Sequence, residues 1–136
     1  MRNKKGFTLI ELLVVIAIIG LLSTLAVVSL NNARQKSRDA KRVSDIKQIQ
    51  TALELLYNDA NSYPATVATG GTIAFGGTTY MGAVPSNPAP RADGTCGNVD
   101  YSYAVVGTTS YNLTYCLGAV TGGLSAGIHT ATPAGL

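Results

Sequence analysis

Few residues in this chain are equipped for chemistry. Glu11 stands near the start of an apolar run, in Lys4-Lys5-Gly6-Phe7-Thr8-Leu9-Ile10-Glu11-Leu12-Leu13-Val14-Val15-Ile16. An ionised acid at membrane depth costs about 2.5–3.5 kcal/mol on insertion scales, so Glu11 needs a cationic partner or contact with water. Cys96 and Cys116 are widely spaced, with no Cys-x-x-Cys, and the single histidine is His129. That pattern argues against a zinc site. In an exported chain an even pair reads as one disulfide, the alternative being two buried free thiols. His129 and Asp100 form no catalytic set with a nucleophile, and there is no Gly-x-Ser-x-Gly, phosphate-binding loop or metal-ligand spacing. The expectation is a non-enzymatic protein without a cofactor.

The run that carries Glu11 covers residues 7–30 and is interrupted only by Thr8, Glu11, Gly20, Ser23, Thr24 and Ser29. As a helix it spans roughly 36 Å, enough for a bilayer core. Three accounts compete: a secretory signal peptide, a permanent membrane anchor, or an anchor that later becomes a packing helix. A secretory signal needs a small-x-small site behind its apolar segment. Thr24-Leu25-Ala26 is a mediocre one, and an acid early in the segment fits badly. Cleavage in front of the segment, after Gly6, would keep the whole helix and create a new amino terminus at Phe7.

Residues 31–60 are polar overall but periodic. Ala40, Val43, Ile46, Ile49, Leu53 and Leu56 recur at steps of three and four, forming one apolar stripe. Arg34, Arg38, Lys41 and Arg42 occupy another sector. Asp39 with Arg42, and Lys41 with Asp45, are spaced to pair on the surface for about 0.2–0.5 kcal/mol each. The basic cluster reads as a solvated or headgroup-facing belt, or as a contact for acidic residues of a neighbouring subunit. No proline divides the two segments, so one helix is expected over residues 8–60. It stops where Asn58, Asp59, Asn61 and Ser62 favour turns and Pro64 excludes Tyr63 from the helical region.

Beyond Pro64 glycine punctuates the chain. Residues 72–75 and 78–81 read weakly as a small hairpin or a loop, and 84–90 as a proline-rich connector. The clear strands are 101–106 and 110–117, joined at Gly107-Thr108-Thr109. Tyr101, Tyr103 and Val105 alternate with Tyr111, Leu113, Tyr115 and Leu117. The two sets share a face only if paired positions sum to an even number, for example Val106 opposite Ser110. The same register sets Asp100 opposite Cys116. The shared face then packs on the helical stripe, giving an α+β chain: a long N-terminal helix against a small antiparallel head. Such a thin core needs a staple, and a Cys96–Cys116 bridge would contribute about 3 kcal/mol.

The formal charge of +3 misleads about partners. Without Arg2, Lys4 and Lys5, seven basic residues face seven acidic ones. No specific nucleic-acid partner is expected. The sequon Asn112-Leu113-Thr114 falls inside a strand and is discounted.

Lys4-Lys5-Gly6-Phe7, Glu11 four residues on, and the apolar run with Gly20 together resemble the class III leader of type IV pilins and type II secretion pseudopilins. The resemblance is tight over the first 30 residues and looser through the helix end at Tyr57-Asn58-Asp59 and Tyr63-Pro64. It implies a leader recognised at Lys4, Lys5 and Gly6, prepilin peptidase cleavage between Gly6 and Phe7, N-methylation of Phe7, and a filament-assembly role for Glu11 with the Phe7 amine. The implied organisation is a leader (1–6), a transmembrane and filament-core helix (7–30), its amphipathic continuation (31–63) and a β-rich head with one disulfide (64–136). The implied function is a structural subunit of a type IV pilus or pilus-like filament. A pseudopilin of a secretion or DNA-uptake machine is the second option, and a monomeric membrane-anchored binding domain the option from another class. Expected partners are copies of itself, membrane lipid before assembly, and the peptidase and assembly machinery. The unassembled subunit would sit in the cytoplasmic membrane with its N-terminus inside, and the assembled one at the cell surface. Two departures stand out. Many pilins have proline where this chain has Val28, so no loosening of the helix is expected there. Major pseudopilins often carry an acid-rich calcium loop, whereas only Asp93 and Asp100 are acidic after Pro64, too few hard ligands.

Overall fold

The computed structural model describes residues 6–136. Helix α1 (Leu9–Ala60) is the single helix among these residues. It ends where anticipated, and for the anticipated reason. Asn61 adopts a left-handed φ of 53°, which its short polar side chain tolerates. Its N–H donates to the Tyr57 carbonyl at 2.8 Å, closing the last turn.

The chain divides into two compact units, one ending at Arg34 and the other running from Gln35 to Leu136. In the first, the large apolar side chains are exposed throughout, including Phe7, Ile10, Leu21 and Val28. The Thr24 hydroxyl donates to the Leu21 carbonyl at 2.8 Å, so this hydroxyl is satisfied within the helix itself.

The second unit has a conventional core. From α1 come Ile46, Ile49, Ala52, Leu53 and Leu56, and they meet Tyr111, Leu113, Tyr115 and Leu117 of the sheet. Strands β1 (Ile73–Phe75) and β2 (Thr78–Met81) form a hairpin. Strands β3 (Ser102–Val106), β4 (Ser110–Leu117) and β5 (Gly127–Ala131) form an antiparallel sheet in the order β3-β4-β5. Val106 pairs with Ser110 and Tyr103 with Leu113, the register that the alternation requires. The layout is the expected α+β one.

Three expectations need correction. First, β5 was not anticipated. It has one strong strand former, Ile128, and that side chain is 77% exposed while Ala131 packs inward; the apolar alternation is inverted. Second, Ala40 is exposed rather than part of the stripe. The buried stripe does continue back from Leu56 at steps of three and four, through Leu53, Ile49 and Ile46. Its next members are Arg42 and Asp39, both fully buried. A pair expected on the surface therefore belongs to the interior, where its energetics differ in kind. Third, pairing of β3 with β4 ends at Ser102 opposite Thr114, so Asp100 lies outside the ladder.

Candidate functional site

Two places concentrate polar groups. The first is the start of α1. Thr8 precedes the helix and Glu11 is its third residue. The Thr8 N–H donates to Glu11 Oε2 at 2.8 Å, and the Thr8 hydroxyl donates to the same oxygen at 2.6 Å. In return the Glu11 N–H donates to Thr8 Oγ1 at 3.2 Å. This is a reciprocal capping box. The carboxylate therefore has hydrogen-bond partners within its own chain, and its charge lies at the positive end of the helix dipole. The Thr-x-x-Glu spacing is the sequence signal for this pairing. Gly6 and Phe7 precede the cap with no regular structure, and Phe7 is 75% exposed. Lys4 and Lys5 lie outside the described residues. Helix α1 is long and apolar enough to cross a membrane, and none of its most apolar stretch is buried.

The second place is a charged clamp within the Gln35–Leu136 unit. Arg42 Nη1 donates to Asp39 Oδ1 at 2.6 Å. Its Nε donates to Asn87 Oδ1 at 2.8 Å, and its Nη2 to the Pro90 carbonyl at 3.3 Å. Asp39 also accepts the N–H groups of Gly118 and Ala119, each at 2.9 Å. Arg38 grips Asp93 with both arms of its fork, at 2.5 and 2.9 Å. That grip holds the Asp93 carboxyl below the usual carboxylate range, with burial opposing. One turn of helix thus holds the 87–93 segment and the residues after β4. The disulfide between Cys96 and Cys116 lies close by in the chain, tying a residue three beyond Asp93 to the end of β4. Arg34, Lys36 and Lys41 stay exposed, so only part of the basic cluster is a solvated belt. The partly buried Asp45 contact extends the polar face: it accepts from Lys41 at 2.9 Å and from the Tyr101 hydroxyl at 3.1 Å.

The acidic side chains do not fit calcium, the ion that the likeness to major pseudopilins raises. Asp93 is taken by guanidinium groups. Asp100 accepts the N–H of Asn87 at 2.8 Å and of Tyr101 at 2.9 Å, and pairs with Arg91 at 2.9 Å. No group of three His, Cys, Asp or Glu side chains converges among the described residues. Calcium takes six to eight oxygens, several of them anionic.

Comparison with known proteins bears on the first place directly. Residues 1–27 match the model of the prokaryotic N-terminal methylation motif. The type II secretion system core protein G of Aeromonas hydrophila is 43% identical over 65 residues, covering 48% of this chain and 46% of that protein. The core protein G of Vibrio cholerae is 34% identical over 91 residues, covering 67% of this chain and 57% of its own length. The type IV wide pilus major component PilA4 of Thermus thermophilus is 41% identical over 68 residues, covering 50% and 52%. These matches support the pilin and pseudopilin family. It is a family of structural subunits, not of enzymes. The chain spans about half the length of the relatives it matches. No solved structure matches. The pilin motif and the uncovered apolar helix together support membrane anchoring.

Proposed function

We propose that this chain is a prepilin, the precursor of a structural subunit of a type IV pilus or pilus-like filament. The observation that carries this is an apolar helix whose most apolar stretch is unburied, opened by a capped glutamate one turn from Gly6-Phe7. Before assembly, lipid covers the 7–30 segment. In a filament, helices of neighbouring copies cover it instead. Both surroundings are apolar, so packing and polar contacts, rather than hydrophobic transfer, decide association.

In this scheme a prepilin peptidase recognises the leader through Lys4, Lys5 and Gly6 and cuts between Gly6 and Phe7. The new Phe7 amine is then methylated and keeps its positive charge. Glu11 exchanges part of its Thr8 cap for that amine, on its own or a neighbouring chain. A buried pair of this kind adds little net stability but strongly penalises wrong registers, because an unpartnered charge among apolar helices is costly. The subunit waits in the cytoplasmic membrane with its N-terminus inside, and the 64–136 head faces outward.

Intact mass of the mature chain tests the processing step. The expected species starts at Phe7 and carries one added methyl group. A start beyond Ala26 would overturn the proposal and leave a secreted head. Glu11→Ala tests the assembly step: the variant should remain in the membrane and fail to form filaments, whereas a monomeric anchored domain would tolerate it. The names of the core protein G relatives favour a second reading, a pseudopilin of a secretion machine. Deletion separates the two. Loss of long surface filaments supports a pilus, and loss of protein secretion with filaments intact supports a pseudopilus.

A further inference from the structure

We propose that Arg42 is the resident cation of the head, and that the head closes on it rather than on a divalent ion. Four oxygens from two stretches of chain, the helix and the 87–93 segment, converge on its guanidinium: Asp39 Oδ1, Asn87 Oδ1, the Pro90 carbonyl and Asp93 Oδ2, the last at 3.5 Å. The side chain is fully buried, and so is that of Asp39. Two carboxylates, Asp39 and Asp93, face two guanidinium groups, Arg38 and Arg42, so the cluster is already neutral. An added divalent ion would leave it with two surplus positive charges.

On the side of Gly94 and Gly118 there is also no space for an ion and its shell. The backbones of Gly94 and Gly118 pass so closely that a Cβ on Gly94 would lie 2.2 Å from the Gly118 carbonyl oxygen. A planar fork suits this setting better than a sphere. It fixes the directions of its N–H groups, so it sets the angle of each segment as well as drawing the oxygens together. Through Asp39 the same charge reaches the N–H groups of Gly118 and Ala119. The head thus closes on a cation supplied by its own helix, and its folding is independent of divalent metal.

The test uses the full chain in detergent micelles. All seven tyrosines lie in the Gln35–Leu136 unit and there is no tryptophan, so the tyrosine band of the near-ultraviolet circular dichroism reads the packing of that unit. Melting is followed in millimolar calcium and in excess EDTA, for the wild type, Arg42→Lys and Arg42→Met. The wild-type midpoints should coincide in the two conditions. Arg42→Met should lower the midpoint by on the order of 10–20 °C, since it strands a buried carboxylate. Arg42→Lys, which keeps the charge and loses the fork, should fall between the two. A wild-type midpoint that drops in EDTA and returns with calcium would overturn the proposal, as would an Arg42→Met midpoint equal to the wild type. If Arg42→Met does not fold, the wild-type comparison and Arg42→Lys still decide: a lysine variant as stable as the wild type refutes the need for the fork.

Discussion

Replacing Gly118 with alanine tests whether the clamp is as tight as its geometry states. A Cβ there would lie 2.6 Å from the Asp93 carbonyl oxygen, 2.7 Å from Gln35 Nε2 and 3.0 Å from the Asp93 carbonyl carbon. The Gln35 side chain can swing away. The Asp93 backbone cannot move without pulling its carboxylate off Arg38. Forced overpacking of this kind costs about 1–3 kcal/mol. Displacing Gly118 also weakens its N–H bond to Asp39, and hydrogen bonds to charged groups contribute about 1.5–3 kcal/mol. Together the loss is about 3–5 kcal/mol. For a unit of this size each kcal/mol moves the melting point by roughly 4–8 °C, so a fall of about 15–30 °C is expected. Gly122→Ala is the control. Gly122 has a φ of 59° and open space around it, so alanine there should cost only the left-handed backbone penalty, about 1–2 kcal/mol. The assay is tyrosine circular dichroism melting of both variants in one detergent. If Gly118→Ala melts at or above Gly122→Ala, the close approach of the two loops is not a constraint and the steric reasoning fails.

Reduction of Cys96–Cys116, which encloses a separation of 20 residues, should cost about 3 kcal/mol in the chain-entropy model, read as a lower denaturant midpoint. In acid, a carboxyl whose folded pKa is depressed gives stability that is present above its unfolded value near 4 and lost as pH falls through the folded one. Melting of the wild type should therefore decline below about pH 4, and Asp93→Asn, already without the Arg38 grip, should be less stable at neutral pH and show a shallower decline. Burial pushes Tyr103 and Tyr111 up to about 12. A raised folded pKa gives stability that is complete below the unfolded value near 10 and lost as pH rises, so phenolate absorbance of these two should emerge together with unfolding between those limits. The Tyr115 hydroxyl is buried without a hydrogen-bond partner among the described residues. Tyr115→Phe should thus leave the midpoint unchanged or raise it, and a large fall would mean that the hydroxyl has a partner.

What was legible in the sequence was whatever rests on local repetition. The helix announced itself through steps of three and four, and its end through Asn61 and Pro64. The β3–β4 register followed from one constraint, that the two tyrosine-bearing faces coincide, and the three-residue loop agrees with it. The clamp was hidden because hydropathy was the guide to burial. Arg42 and Asp39 continue the stripe in position but not in polarity, so hydropathy points to the apolar Ala40 instead. Nothing local told that Asp39 would be met by two N–H groups about 80 residues away. Strand β5 was illegible for a related reason, since its partner β4 supplies the apolar surface and its own largest side chain faces out. At the candidate assembly site the residues were legible as a resemblance, while the Thr8 cap on Glu11 needed geometry to become visible.

The span of the clamp has a consequence for timing. Its contacts join Asp39 to Ala119, and Gln50 reaches the Thr132 carbonyl at 2.9 Å. Non-local contacts of this reach close slowly, after local hairpins have formed. On the proposed topology, in which the head is threaded through a membrane behind its anchor, the clamp would stay open until residue 119 has crossed. The head would then emerge as a loosely ordered chain that still fits a narrow channel. Its rigid form would be reached only on the far side, where oxidation and closure can each secure the other.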